Sequence, residues 1–240
     1  MSTPPHPRTV LVTGAARRLG RMFSLAFARA GWDVACHYQH SRDEAMQTCA
    51  EIEALGRRAW AIAGNLADAA AQERIFADTV QAMGQPPNAI VNNASLFEPD
   101  QGLDFSPELL QRQMQVNLVA PLQLATLLAR ARPQAHADQG VPAVIHVLDQ
   151  KVFNLNPDYF SYTLSKLALE RAVALQAQAL APHVRVSAIA PGLVYVSGPQ
   201  TGDNFRRAST VNLLRSPTDP EDVARTAVFL AENASITGIT

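Results

Sequence analysis

The sequence predicts an α/β fold built on a doubly wound parallel sheet. Short apolar runs alternate along the chain with longer segments of helical periodicity, which implies parallel strands joined by right-handed crossovers. A turn that contains glycine directly follows the first apolar run, as expected where such a sheet receives a ligand. No linker or change in composition divides the 240 residues, so we expect a single domain over residues 1–240.

Six apolar runs are predicted as strands. The first has the sequence TVLVT and is predicted to be buried. The predicted strand ranges are 9–13, 33–38, 59–63, 89–92, 143–148 and 184–189. Six strands alternating with helices predict a Rossmann-type sheet with the strand order 3-2-1-4-5-6.

Six helices are predicted between and after these strands. Gly31 and Gly56 follow the first two and are typical of residues that end helices. Asp219 suits the N-cap of the last helix, and Pro220 suits its first position. The predicted helix ranges are 19–29, 43–55, 69–83, 107–131, 159–180 and 220–232.

The segment 194–217 follows the sixth strand and is polar, glycine-containing and poorly periodic. Its position at the carboxyl edge of the sheet predicts a lid that covers a substrate. The alternative is a simple surface loop.

The composition excludes several classes of protein. A hydrophobic fraction of 48% and a charged fraction of 17% are ordinary for a soluble globular chain, and the net charge of -1 gives no support for nucleic-acid or anionic-membrane binding. Two cysteines, Cys36 and Cys49, are too few for a disulfide framework, and no apolar run reaches the ~20 residues of a membrane helix. Residues 1–8 are proline-rich and lack the apolar stretch of a signal peptide, so we expect a frayed end and a cytoplasmic protein. No metal site is predicted.

The turn after the first strand, TGAARRLG, is predicted to bind a pyrophosphate. Glycine permits a tight turn and close approach of the backbone to the phosphates, and the helix that follows directs free N–H groups at them. The spacing is T-G-x-x-x-R-x-G, and the alternative is a tight turn without a ligand. The predicted contacts are Gly14, Arg17, Arg18, Leu19 and Gly20.

The end of the second strand, HYQHSR, favours NADPH over NADH. NAD-preferring sites place an acidic residue here for the ribose hydroxyls, and none stands at this strand end. Donors suited to a 2′-phosphate take its place, although the arginine could instead be a solvated residue at the start of a helix. The candidate groups are Tyr38, His40, Ser41, Arg42 and, across the adenosine end, Arg17.

Two further strand ends supply cofactor contacts. Asn65 and Leu66 follow the third strand, where adenine is expected, although Asn65 could instead cap the next helix. Asn93, Ala94 and Ser95 follow the fourth strand beside the expected cofactor ribose, although the two asparagines here could merely shape a turn.

Tyr162 and Lys166 are the predicted acid-base pair. Their i, i+4 spacing places both side chains on one face of a helix. A neighbouring ammonium lowers the pKa of a phenol from its ordinary value of about 10, and Lys166 could also hold the nicotinamide ribose. A Y-x-x-x-K spacing is common by chance, but here it follows the glycine turn and the NNA loop and precedes Pro191 and Gly192.

In this order the motifs resemble those of the short-chain dehydrogenase/reductase family over about residues 9–238. The resemblance implies that Tyr162 donates a proton, that Lys166 is its partner, and that Asn117 holds a water of the proton relay. The alternative for Asn117 is a buried polar packing group. The resemblance also implies a homotetramer, with the helices at 107–131 and 159–180 as candidate interfaces, and a seventh strand that is here absent or only begun.

Departures from the family pattern resemble the pteridine reductases and the bacterial dihydropteridine reductases. Asp149 stands where most members have a serine, thirteen positions before Tyr162, and Arg18 replaces the second glycine of the phosphate loop. The resemblance implies that Phe97 stacks a pterin against the nicotinamide and that Asp149 handles protons with Tyr162. It also assigns substrate contacts to Arg18, Ser95, Asp149, Tyr162 and Leu193.

These residues predict hydride transfer from NADPH to a C=N bond of a pterin. Phe97 could instead be a hydrophobic lid residue, and Asp149 an acid that begins a turn or helix. The runner-up function is reduction of another small carbonyl or imine. A non-catalytic NADPH-binding regulator is a third hypothesis, and the intact set of Asn117, Tyr162 and Lys166 argues against it.

Overall fold

The computed structural model describes residues 7–132, 140–196 and 200–240. Six parallel strands form one sheet in the order β3-β2-β1-β4-β5-β6. The strand bounds are β1 Thr9–Val12, β2 Asp33–Tyr38, β3 Ala59–Ala63, β4 Ala89–Asn92, β5 Ala143–Val147 and β6 Arg185–Ile189. The predicted fold class and strand order are confirmed.

Alternate residues of the central strands supply two separate cores. Val10 and Val12 on β1 belong to the core on one face of the sheet, whereas Leu11 between them belongs to the core on the other face. All three are fully buried, because helices cover both faces. The order in which strands are added to the sheet reverses between β1 and β4. Their carboxyl ends therefore border the crevice where such sheets bind ligands.

Eight α-helices accompany the sheet in the part of the chain that the structure describes. Their bounds are α1 Arg18–Arg29, α2 Arg42–Ala54, α3 Ala69–Met83, α4 Pro107–Met114, α5 Ala120–Ala131, α6 Phe160–Leu180, α7 Gly202–Ser209 and α8 Pro220–Glu232. Asp219 caps α8 by accepting a hydrogen bond from the N–H of Glu221 at 2.8 Å, as the sequence predicts.

The helix predicted over 107–131 is divided by a π-helical turn. This turn, Gln115–Val119, joins α4 to α5 without a break in the helical path. Such turns are frequent at functional sites because they redirect a side chain out of the regular helical register. Asn117, a predicted site residue, lies in this turn and is fully buried.

The segment 194–217 is not a simple loop. It contains α7, whose N-cap Thr201 accepts a hydrogen bond from the N–H of Asn204. Residues 197–199 of the predicted lid, and 1–6 of the predicted frayed N-terminus, lie outside the described residues.

Residues 238 and 239 hydrogen-bond to β6 but form no seventh strand in the part of the chain that the structure describes. The N–H of Gly238 donates to the carbonyl of Val186 at 2.6 Å, and the N–H of Ala188 donates to the carbonyl of Ile239 at 2.8 Å. Residues 238 and 239 therefore lie against the free edge of β6.

Within the described residues, no helix combines the length and the apolar character needed to cross a bilayer.

Candidate active site

A cavity of about 750 Å³ lies at the carboxyl edge of the sheet. Its wall is formed by residues that follow β1, β4, β5 and β6, together with the start of α6 and part of the segment 194–217. Fifteen predicted site residues line it, and these are Gly14, Arg17, Arg18, Leu19, Gly20, Asn93, Ala94, Ser95, Phe97, Asp149, Tyr162, Lys166, Pro191, Gly192 and Leu193.

The turn after β1 lines the cavity and is closely packed. Gly14 has a φ of 64°, in the left-handed region that favours glycine. A Cβ added to Gly20 would lie 2.0 Å from the carbonyl oxygen of Gly14 and 2.7 Å from Nδ2 of Asn93. Asn93 itself donates to the carbonyl oxygen of Thr13 at 2.9 Å, which ties the end of β4 to this turn. The first strand, the turn and α1 therefore pack closely enough that only glycine fits at position 20.

His37 is hydrogen-bonded to the same turn. Its Nδ1 accepts a hydrogen bond from the N–H of Gly14 at 3.3 Å, so Nε2 carries the proton and donates to the carbonyl oxygen of Gly64 at 3.1 Å. Burial lowers the pKa of His37 from its ordinary value to about 4, although the Gly64 bond opposes this shift. The neutral ring is the form that can accept from Gly14.

Arg18 departs from the usual backbone preference at the start of α1. Its φ of 51° lies in the left-handed region, where a side chain is strained and a glycine is not. Its guanidinium donates to the carbonyl oxygen of Val196 at 2.9 Å and lies 5.2 Å from the ring centroid of Tyr195. Arg18 thus joins the turn after β1 to the segment 194–217.

Apart from Arg17, the residues predicted for the adenosine end do not line this cavity. Asn65 accepts a hydrogen bond from the N–H of Ala67 at 2.9 Å and closes a turn, while Asp68 caps α3. Ser41 precedes α2 without capping it by a side-chain bond, and Arg17 pairs with Glu44 on the surface. The remaining members of this group are Tyr38 at the end of β2, exposed His40 and Arg42, and buried Leu66.

Asp149 and Tyr162 are joined directly. The phenol oxygen of Tyr162 donates to Oδ2 of Asp149 at 3.0 Å, and Oδ1 of Asp149 accepts from the N–H of Lys151 at 2.9 Å. Asp149 therefore both begins a short 3₁₀ turn, Gln150–Val152, and contacts the candidate proton donor. The turn-starting alternative for this carboxylate is therefore observed, and its proton-handling role stays a prediction.

The expectation that Lys166 lowers the pKa of Tyr162 is wrong for this structure. Burial, followed by the charge and hydrogen bond of Asp149, raises the pKa of Tyr162 well above its ordinary value. Lys166 lies 5.8 Å from the Tyr162 ring centroid, and its ammonium donates to the carbonyl oxygen of Val147 at 2.7 Å. Burial lowers the pKa of Lys166 to about 8, and Asp149 opposes the shift. Burial and the nearby carboxylate therefore both favour the protonated phenol.

Asn117 makes four hydrogen bonds and does not line the cavity. Its Nδ2 donates to the carbonyl oxygen of Leu96 and to Oγ of Ser165, both at 2.9 Å. Its Oδ1 accepts from the N–H of Leu96 at 2.8 Å and from Oγ of Ser95 at 3.1 Å. Every donor and acceptor of this amide is used by protein groups. The contacts favour a structural polar group, and the water-holding role stays a prediction.

Three aromatic rings lie together in the cavity wall. The Phe97 ring stacks on Tyr159, with centroids 4.0 Å apart and planes 10° apart. It also meets Tyr162 edge to face, with centroids 4.6 Å apart. Phe97 remains 36% exposed, so part of its surface is open to a ligand.

Sequence reasoning missed several wall residues. Tyr159 stands three positions before Tyr162, a spacing that could have placed both on one helix face, but it adopts φ 57° as the N-cap of α6. Lys151 donates to the carbonyl oxygen of Asp158 at 3.0 Å and to Asn156, and no motif indicated any of the three. The segment 194–217 contributes Val194, Tyr195, Gln200 and Ala208 to the wall. Among the described residues, no group of three or more acidic, histidine or cysteine side chains could hold a metal ion.

Comparisons with known proteins identify the family of this chain. The family model described as short chain dehydrogenase matches residues 8–203. A crystal structure of FolM alternative dihydrofolate reductase 1 from Brucella canis, complexed with NADP, is 35% identical, with a TM-score of 0.90 over 98% of this chain and 91% of that chain. The FolM structure from Brucella suis, also in complex with NADP, is 35% identical with a TM-score of 0.91, over 98% of this chain and 93% of that chain.

Relatives with assigned names include several substrate classes. An L-rhamnose 1-dehydrogenase (NAD(P)(+)) from Sphingomonas sp. is 32% identical over 96% of this chain and 92% of its own length. A dihydromonapterin reductase from Enterobacter sp. is 28% identical over 96% of this chain and 92% of its own length. The FolM and dihydromonapterin reductase matches are consistent with the pteridine reductase-like subgroup. The chain belongs to the short-chain dehydrogenase family and is an oxidoreductase.

Proposed function

We propose that this protein reduces a C=N bond of a pterin, converting a dihydropterin to a tetrahydropterin with NADPH. The observation that carries the proposal is the hydrogen bond between Asp149 and Tyr162 in a cavity walled by the Phe97 ring. A carboxylate beside the proton donor suits a nitrogen heterocycle, whose ring nitrogen must gain a proton and whose amino-amidine edge offers donors to an acid.

The turn after β1 fits the cofactor. A side chain at position 20 would clash with the turn itself, and Gly14 and Gly20 line the cavity, so backbone of the turn could approach a pyrophosphate there. When bound, NADPH supplies the hydride. The residues that would hold it at this turn and at the nicotinamide end are Gly14, Arg18, Leu19, Gly20, Asn93, Ala94, Ser95, Lys166, Pro191 and Gly192, and those that would hold the adenosine end are Arg17, Tyr38, His40, Ser41, Arg42, Asn65 and Leu66.

Phe97, Arg18 and Ser95 would orient the substrate. The exposed part of the Phe97 ring offers a flat surface to a heteroaromatic ring, and Ser95 lines the cavity two positions before it. Arg18 reaches the cavity mouth from the phosphate turn, where it would contact both cofactor phosphate and substrate. Leu193 would add an apolar contact from the opposite wall.

Tyr162 would deliver the proton. Its raised pKa keeps the phenol protonated at neutral pH, so it begins the reaction as a donor. The proton now held between Tyr162 and Asp149 would pass to the substrate nitrogen. Asp149 would then relay a replacement from solvent, because it lines the cavity as Tyr162 does.

The test is NADPH oxidation by the purified protein with dihydrobiopterin or dihydromonapterin, beside a simple aldehyde and a quinone. We expect pterin turnover at micromolar KM. We also expect Tyr162→Phe to lose at least ~10²-fold in kcat, the lower range for a general acid-base group. Turnover of the carbonyls alone would preserve the Tyr-Lys chemistry and reject the pterin.

A second candidate is reduction of another small carbonyl or imine. The observation that favours it is the 32% identity to an L-rhamnose dehydrogenase over nearly the whole chain. Asp149 would then contact a substrate hydroxyl rather than a ring nitrogen. The same substrate panel separates the two candidates.

We also propose a cytoplasmic homotetramer, as the family resemblance implies. Exposed apolar side chains on the two candidate interface helices support this assembly, with Val119 at 41% and Leu175 at 70% exposure. Light scattering of the purified protein tests it, and a monomer at micromolar concentration would contradict it.

A further inference from the structure

The loop between β4 and α4 carries Phe97 and is fixed at three points. Asn117 in the π-helical turn holds Leu96, and Gln113 on α4 donates to the carbonyl oxygen of Glu98 at 3.2 Å. The third point is Asp100, which contacts the start of α6. The first two points tie the loop to the helix that follows it, whereas Asp100 ties it to the helix that carries Tyr162.

Asp100 makes three hydrogen bonds to α6. Its Oδ1 accepts from the N–H of Ser161 at 3.0 Å, and its Oδ2 accepts from the hydroxyl of Ser161. Its backbone carbonyl accepts from the N–H of Phe160 at 3.2 Å. Ser161 is fully buried, so no solvent competes at its end of the contact.

These contacts replace a missing local cap. The N-cap residue of α6, Tyr159, has left-handed backbone angles and makes no side-chain capping bond. Free N–H groups at a helix N-terminus need an acceptor, and a carboxylate there is favoured by the helix dipole. Asp100 supplies this acceptor from 61 positions earlier in the chain.

We propose that Asp100 is a positioning residue that sets the separation between Phe97 and Tyr162. Asp100 holds the loop three residues after Phe97 and the helix one residue before Tyr162. The two rings meet edge to face at 4.6 Å, so a shift of the loop against α6 changes the slot in which a flat substrate would lie. The effect on substrate rests on the proposed function, but the attachment of loop to helix does not.

The test compares Asp100→Ala, Asp100→Asn and the control Asp104→Ala. Asp104 lies in the same loop, and its carboxylate accepts from the N–H of Gln101 without contacting α6. We expect Asp100→Ala to raise KM for the dihydropterin by about tenfold, as for the loss of one charge-assisted hydrogen bond. The Kd for NADPH should stay unchanged, because Asp100 does not line the cofactor end of the cavity. Asp100→Asn should restore KM to within about threefold of wild type, since its amide oxygen still accepts from Ser161.

Hydrogen exchange of the Ser161 amide, without substrate, separates this proposal from the proposed function. Faster exchange in Asp100→Ala, and not in Asp104→Ala, supports the attachment even if wild type reduces no pterin. Unchanged exchange would overturn it. An unchanged KM with a substrate that wild type does reduce, or an equal rise in the NADPH Kd, would also overturn the positioning role.

Discussion

Arg18 keeps a strained backbone conformation in the turn after β1. A left-handed conformation costs a non-glycine residue about 1–2 kcal/mol. The side chain that remains despite this cost reaches across the cavity mouth to Val196 and Tyr195. At the scale of single residues, this is a conflict between local preference and global fit, and such conflicts concentrate at functional sites.

Replacement of Arg18 by glycine separates strain from function. Arg18→Gly should change the free energy of unfolding by no more than about 1 kcal/mol, because relief of strain offsets the entropy of glycine in the unfolded chain. Its NADPH Kd should rise by at least about tenfold, through loss of a charge-assisted contact to phosphate. Isothermal titration and urea unfolding measure the two quantities. Arg18→Ala, which keeps the strain, should match the Kd of Arg18→Gly and be less stable, and an unchanged Kd in both variants would contradict the assignment.

Asp149 controls the proton affinity of Tyr162. Burial and the Asp149 carboxylate together raise the pKa of Tyr162, so Asp149→Asn should lower that pKa. Activity that needs a protonated phenol disappears as pH rises through its pKa. The alkaline limb of kcat in Asp149→Asn should therefore lie at lower pH than in wild type, and the variant should lose most activity at high pH. A pH profile of the same shape in both proteins would contradict a role for Asp149 at the proton donor.

At the scale of elements, α1 and β4 meet at the glycine turn after β1. The sequence predicted the glycine turn between β1 and α1 from its spacing together with its position after the first strand, because a tight turn requires particular residues at particular positions. The π-helical turn at Gln115–Val119 could not be predicted, since no residue type marks it. Asp100 was also missed, because its partner Ser161 is distant in sequence and only the tertiary fold brings them together.

Gly20→Ala tests the packing of this junction. The added Cβ would fall 2.0 Å from the carbonyl oxygen of Gly14, so the backbone of the turn after β1 must move. We expect a loss of about 1–3 kcal/mol in the free energy of unfolding, typical of overpacking, together with weaker NADPH binding. Gly102→Ala is the control, since its Cβ would lie 3.9 Å from the Phe160 ring. Wild-type affinity and stability in Gly20→Ala would contradict the close packing.

At the scale of the whole molecule, two buried histidines are hydrogen-bonded within the fold. His37 supports the glycine turn, and His146 on β5 accepts from Asn92 at 3.2 Å and donates to Gln176 at 3.0 Å. Burial lowers the pKa of each to about 4. The sheet order and buried strands were predictable, because alternation and apolar runs specify them. The side-chain partners of these histidines were not, because they depend on which strands become neighbours.

The free energy of unfolding should fall in mild acid, because burial lowers the pKa of these two histidines. The unfolded chain binds protons at its histidines below about pH 6.5, whereas the folded sites stay neutral down to about pH 4. The stabilisation is therefore complete above about pH 6.5 and is lost as pH falls toward 4. His146→Gln should lose about 3 kcal/mol less than wild type over this interval, measured by urea unfolding at each pH. An identical pH dependence in His146→Gln would show that His146 is not held neutral.

The central claim is hydride delivery to a pterin C=N bond, and an isotope experiment tests it most directly. Purified protein would be incubated with a dihydropterin and NADPH deuterated at the transferable position, and the product analysed by mass spectrometry. The account predicts a tetrahydropterin carrying the deuterium, formed in proportion to the NADPH consumed. Unlabelled and unreduced pterin, with deuterium transferred only to an aldehyde or ketone offered in parallel, would contradict it.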